Sequence, residues 1–205
     1  MTTSTSDIVS ATLKAKEYWE GRKNLVYYQI VRIIVSGLSR DAKNMLDVGS
    51  GNCPYLEWFP EVPERFSLDM RSPYESSFVK PIKADFLDWP NERRFDLVSC
   101  LQVLEHVPDA ETFAKRLLDV SDVLVVSVPY KWPFGKTKSH VHDPVDEAKL
   151  LDWFGREPNY EYLCQEVTAD VKRLVQVYDK VPGKWTSLNH RDRLLADIKG
   201  GRHLE

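Results

Sequence analysis

Residues 123–128 (VLVVSV) constrain this chain more than any other feature. The run is apolar with no alternation, so as a strand it must be covered on both faces. That situation arises inside a parallel sheet flanked by helices. Four further short, mostly apolar runs precede it, at 44–48 (NMLDV), 65–69 (RFSLD), 81–84 and 95–100 (FDLVSC). Between the last of these and 123–128, Asp109 stands where it can cap a helix that buries Phe113, Leu117 and Val120. Strands alternating with helices or loops imply right-handed crossovers and an α/β, doubly wound sheet.

The two ends of the chain break that rhythm. Residues 12–19 and 25–38 read as N-terminal helices, the second with Val26, Ile30, Ile33, Ile34 and Leu38 at helical spacing on one apolar face. Residues 161–167 and 173–178 are β-rich and read as a terminal antiparallel hairpin. A length of 205 residues suits one domain: a helical cap over 1–40, a core over 44–178 and a tail over 179–205.

Composition narrows the partners. With 28 basic and 31 acidic side chains the net charge is −3, without the basic surplus of a nucleic-acid binder, so a small-molecule partner is expected. Cys53, Cys100 and Cys164 lie far apart, which fits a reducing compartment and neither a disulfide framework nor a zinc finger. No apolar run approaches membrane-spanning length, and the opening residues lack a basic stretch followed by an apolar one. A cytoplasmic location is the expectation. Oligomeric state is not legible.

The chemistry sits at strand ends. Asp47-Val48-Gly49-Ser50-Gly51 leaves the first strand, and glycines at 49 and 51 permit positive φ and close backbone approach to a ligand. Pro54 suits the first turn of a following helix. Asp69 closes the second strand, where an acid can accept hydrogen bonds from both hydroxyls of an adenosine ribose. Asp85 follows the third and can face an adenine amino group, with Phe86 against the ring. A dinucleotide site would carry its third glycine where Pro54 stands, and Asp47 would repel a pyrophosphate. A nicotinamide-dependent oxidoreductase is therefore disfavoured. A ligand with an adenosine and a positively charged end suits Asp47, and S-adenosyl-L-methionine has both.

LDVGSGNCPYL resembles the first motif of class I S-adenosylmethionine-dependent methyltransferases, and FSLDM, IKADFLDWP and FDLVSCLQVLEHVPD resemble the next three. LQVLEHVPD is similar to the small-molecule enzymes of the ubiquinone/menaquinone type, and the histidine-containing loop to those of glycan or natural-product pathways. The resemblance implies a Rossmann-like, seven-stranded, mostly parallel sheet ordered 3-2-1-4-5-7-6 with an antiparallel last strand. It implies that Gly49 and Gly51 line the cofactor, that Asp69 holds the ribose with Met70 beside it, and that Asp85 and Phe86 hold the adenine. Leu101 and Gln102 would flank the methionine moiety, and Asp47 its amino group. Cys53 stands where many members have a third glycine.

Four residues remain as candidates for acceptor chemistry. His106 follows the fourth strand and either serves as a base or holds the next loop. His140, His142 and Asp143 follow the loop Trp132-Pro-Phe-Gly-Lys, and three readings apply: a base oriented by a carboxylate, a chelate, or a hydrogen-bonded loop at a helix start. No metal is expected, and His142 is preferred as the base because it adjoins Asp143. The expected reaction is O-methylation of a sugar, glycan or natural-product intermediate. N- or C-methylation, or a non-catalytic cofactor-binding subunit, are the alternatives.

Overall fold

In the computed structural model, residues 19–189 are described, apart from Glu92 and Thr168, and the expected strands join into one sheet. They are β1 (Asn44–Val48), β2 (Glu64–Asp69), β3 (Val79–Lys83), β4 (Phe95–Leu101), β5 (Ser121–Pro129), β6 (Tyr160–Gln165) and β7 (Lys172–Asp179). Their order is β3-β2-β1-β4-β5-β7-β6. The pairs from β3 to β5 are parallel, and β7 runs antiparallel to both β5 and β6. This is the Rossmann-like order that the resemblance implied.

β5 behaves as its composition requires. Val123 and Val125 point into one apolar cluster, Leu124, Val126 and Val128 into the other, and all five are buried. Helices α2 (Ala110–Asp119) and α3 (Glu147–Phe154) cover the second face, through Phe113, Leu117, Leu150 and Phe154. Side chains cap both: Asp109 accepts from the Thr112 N–H at 3.1 Å, and Asp146 from the Lys149 N–H at 3.1 Å. Gly155 then ends α3 in the left-handed region at φ 66°, where a glycine costs least.

The other face is covered by α1 (Val26–Leu38), and here the expected apolar stripe needs correction. The buried residues are Tyr27, Tyr28, Val31, Ile34, Val35 and Leu38, whereas Ile33 is 62% exposed. Positions 27, 31, 34, 35 and 38 make the better helical stripe, and the stripe expected from Val26, Ile30 and Ile33 omitted the tyrosines. A second correction concerns Pro54. It opens a 3-10 turn, Pro54–Trp58, instead of an α-helix, because Pro60 and Pro63 close off any longer helix before β2. Pro81 lies within β3, which is tolerable because β3 pairs on one side only. The helix expected over 12–19 falls outside the described residues save Trp19, which belongs to a helical turn over 19–22.

Candidate active site

The carboxyl ends of β1, β4 and β5 enclose a cavity of about 480 Å³. Open parallel sheets bind ligands at that edge. Asp47, Gly49, Gly51, Leu101 and Gln102 line it, and Trp19, Arg22 and Tyr28 contribute from the N-terminal segment.

Asp47 is 2% exposed, a costly place for a carboxylate. Its Oδ1 accepts from the Tyr55 hydroxyl at 2.8 Å and from Ser99 Oγ at 2.9 Å, and those two hydroxyls also contact each other. Burial outweighs both bonds and lifts the carboxyl to about 7. A cation at its side would reverse that shift. Both neighbouring glycines have positive φ, 73° for Gly49 and 52° for Gly51. A Cβ at Gly49 would come within 2.5 Å of a Val103 methyl, whereas one at Gly51 would meet nothing within 4 Å. The turn is thus closed against the protein at Gly49 and open at Gly51.

Past β4 the cavity meets Glu105, His106, Trp132 and His140. His140 gives its Nδ1 hydrogen to Asp143 Oδ2 at 2.7 Å, and both side chains are almost fully buried. His106 Nδ1 is likewise taken by the Ser139 carbonyl at 2.9 Å. Since a carbonyl or a carboxylate can only accept, both rings carry hydrogen on Nδ1, and the neutral form of each has its lone pair on Nε2. Burial holds His106 below the usual histidine range, and burial together with the Asp143 carboxylate lifts Glu105 to about 8. Trp132 stacks on His140 with ring centroids 5.8 Å apart.

A buried polar chain joins this cavity to α1. Arg173, 5% exposed, donates to Glu166 Oε1 at 3.1 Å and to Gln102 Oε1 at 3.3 Å. Glu166 in turn accepts from the Val26 and Tyr27 N–H groups, at 3.0 and 3.2 Å. It thereby supplies the cap that Leu25 lacks at the start of α1. Gln102 holds a positive φ of 58°, and its Nε2 donates to Ser127 Oγ, which bonds the Tyr27 hydroxyl.

Other expected site residues lie apart from the cavity wall. Asp69 ends β2, and its carboxylate accepts from the Gly51, Arg71 and Ser72 N–H groups at 3.0, 2.7 and 2.8 Å. It organises the glycine turn even without a ligand. Met70 beside it is 58% exposed, and Asp85 is exposed with Oδ1 on the Leu87 N–H. Phe86 needs correction: it is 3% exposed and packs on Phe113 of α2 at 4.8 Å, facing the core instead of the sheet edge. His142 needs correction as well. Its Nε2 lies 2.7 Å from the Val107 carbonyl and its ring packs on Trp153, away from the cavity lining. The loop turns at His140, whose N–H bonds the Thr137 carbonyl, so the histidine three residues before Asp143 reaches it and the adjacent one does not.

Glu105, Arg173 and Tyr55 were not anticipated as site residues. Each had a signal, namely a charged or hydroxyl-bearing residue inside an otherwise apolar stretch.

A methyltransferase-domain family model matches residues 18–191. The chain belongs to that family. Solved structures agree on the fold of this methyltransferase. The N-methyltransferase NodS of Bradyrhizobium japonicum WM9, in complex with S-adenosylhomocysteine, superposes with a TM-score of 0.59 at 14% identity, covering 76% of this chain and 88% of that one. The 1,6-didemethyltoxoflavin N1-methyltransferase of Burkholderia thailandensis, with bound 1,6-didemethyltoxoflavin and S-adenosylhomocysteine, gives 0.60 at 20% identity, covering 86% and 87%. The N-terminal domain of EvdMO1 with S-adenosylhomocysteine gives 0.54 at 18%, covering 74% and 79%. No curated protein sequence matches significantly. The residues present fit S-adenosylmethionine: a cation beside the buried Asp47 carboxyl would stabilise its ionised form, and the neighbouring glycine turn has open space at Gly51. Among the described residues no helix is long and apolar enough to cross a membrane.

Proposed function

We propose that this methyltransferase transfers the methyl group to an oxygen of a small hydroxylated acceptor, a sugar, glycan or natural-product intermediate, and that residues 44–178 carry the machinery. The observation that carries the reading is His140, bonded to the buried Asp143, on the wall of a cavity that Asp47 and the glycine turn also line. An alcohol is a weak nucleophile while protonated, and a transfer to nitrogen has less need of an oriented base.

In this reading Asp47 holds the cofactor's ammonium group, and Gly49, Gly51, Leu101 and Gln102 line its methionine half. Asp69, with Met70 and Asp85 on the neighbouring strand ends, serves the adenosine half. S-adenosylmethionine bound there supplies an electrophilic methyl on a sulfonium, and transfer leaves S-adenosylhomocysteine. Asp143 fixes the imidazole of His140 by taking its Nδ1 hydrogen, so that Nε2 can accept the hydroxyl proton as the oxygen attacks. Trp132, stacked on that ring, limits its rotation and shields it from water. Tyr28 and Trp19 line the same cavity and exclude solvent from the side of the N-terminal segment.

A panel of alcohols, phenols and amines, with release of S-adenosylhomocysteine as readout, tests the acceptor class. Hydroxyl acceptors should turn over, and His140→Ala should lower that rate by roughly 10²–10⁴-fold with cofactor affinity nearly unchanged. Turnover confined to amines, or an unimpaired His140→Ala enzyme, would overturn the oxygen reading.

A further inference from the structure

The cluster of Glu105, His106 and His140 contains more than one oriented base requires. One ligating atom from each of the three lies within 4.8 Å of the other two. Both histidines have Nδ1 committed, His106 to the Ser139 carbonyl and His140 to Asp143. Nε2 is the nitrogen that each ring, when neutral, has left to offer. The third group is Glu105, 1% exposed, whose Oε1 stands 4.0 Å from His106 Nε2 and whose Oε2 is buried with no hydrogen-bond partner among the described residues. Three groups able to ligate an ion therefore converge on one space, where Glu105 Oε2 makes no hydrogen bond to the described residues.

Such an arrangement asks for a cation. Metal-bound histidines keep one nitrogen for the metal and give the other N–H to a carbonyl or carboxylate, which sets tautomer and ring orientation. Here one ring has each kind of partner. Two imidazoles and one carboxylate suit a divalent first-row transition ion, held on one side and open on the other. All three residues line the cavity, so the open positions face the acceptor. Ligating atoms around a zinc ion at about 2.0–2.2 Å sit roughly 3–4 Å apart, so the cluster needs to contract only slightly.

We propose that Glu105, His106 and His140 form a binding site for one divalent transition-metal ion that receives the acceptor's oxygen. The proposal deepens the oxygen reading and rests on it for the role of the ion, though not for the ion's binding. With the ion in place, Nε2 of His140 is a ligand instead of a free base. The hydroxyl then loses its proton to solvent as its oxygen coordinates, and that oxygen attacks the methyl carbon while the carbon–sulfur electron pair stays on sulfur. Asp143 keeps its task in either state.

The test is direct binding. Full-length protein stripped with a chelator is dialysed against zinc chloride, washed and assayed for metal content, then titrated with cobalt(II) while d–d absorption is recorded. One equivalent of zinc per chain is expected, with cobalt bands of a nitrogen- and oxygen-coordinated site. His106 is partly exposed, so His106→Ala should fold, and it should weaken binding at least tenfold. Asp143→Asn, which leaves every ligand in place, should weaken it roughly 10–100-fold. Zinc at buffer level, or His106→Ala binding as tightly as the parent, would overturn the site. Titration of the same samples with S-adenosylhomocysteine separates the two readings. Protein that binds the cofactor but takes up neither zinc nor cobalt sinks only the ion, and stripped protein that methylates alcohols at the full rate sinks its role in the reaction.

Discussion

Replacing Asp47 by asparagine should make the ligand-free protein more stable and the cofactor site worse. The folded protein holds this carboxyl at about 7 against a reference of 3.8, because burial disfavours the charge more than Tyr55 and Ser99 support it. A raised acid binds its proton more tightly in the folded state than in the unfolded one. Stability is therefore lost as pH rises from about 4 to about 7. Some three pH units at 1.36 kcal/mol each make that loss about 4 kcal/mol. Asparagine never ionises, and its side-chain oxygen can still accept from both hydroxyls, so the variant escapes the loss. At about 2–4 °C per kcal/mol for a chain of this size, Asp47→Asn should melt up to about 8–16 °C higher at pH 8 and near the parent at pH 4. Cofactor affinity should move the other way. Loss of a charge-assisted contact of about 1.5–3 kcal/mol weakens S-adenosylmethionine roughly 10–100-fold at pH 8. The parent's affinity should fall about tenfold per pH unit below 7, and the variant's should not. Thermal unfolding at the two pH values and calorimetric titration across the range measure both effects. A variant whose melting follows the parent at every pH, or whose affinity is unchanged, would refute the account of Asp47.

Asp69→Ala should cost roughly 1.5–3 kcal/mol in cofactor affinity and some melting temperature besides, since the carboxylate also ties the Gly51, Arg71 and Ser72 N–H groups; unchanged calorimetry in a folded variant removes it from the site. Glu166→Ala strips the start of α1 and leaves Arg173 buried without its carboxylate partner, a loss of about 3–5 kcal/mol in denaturant unfolding that adding Arg173→Met should partly restore. Deleting residues 1–22 removes Trp19 and Arg22 from the cavity lining and should reduce turnover more than melting temperature; a truncated enzyme with normal turnover refutes a covering role.

Strand positions were legible because each strand is short, apolar and followed by a turn residue or an acid, as in Leu46-Asp47-Val48-Gly49, whereas their order came from the resemblance to class I methyltransferases. The helix after 109 was legible for the same kind of reason: Asp109 caps it and Phe113 and Leu117 face inward. The face of α1 was less so, since an isoleucine and a tyrosine serve equally well as buried anchors, and pattern alone does not rank them. Phe86 shows a related limit. Following an acid at a strand end, an aromatic residue can turn to a ligand or to the core, and here Phe86 packs on the ring of Phe113. The histidine cluster was legible as a composition and not as a geometry. Sequence adjacency favoured His142 with Asp143, but the turn at Thr137–His140 brings the earlier ring to the carboxylate. Arg173 and Glu166 meet across the β6–β7 connection, a pairing that nothing in the local pattern announces.

The central claim is that the cavity at the carboxyl ends of β1, β4 and β5 takes S-adenosylmethionine with Asp47 on its ammonium group. A calorimetric titration of the intact chain with S-adenosylhomocysteine, repeated with homocysteine's amino group blocked and with NAD, tests it most directly. The account predicts one site per chain for the unmodified ligand, binding at least tenfold weaker for the blocked one, and none for NAD. Equal affinity for the blocked ligand, or preference for NAD, would contradict it.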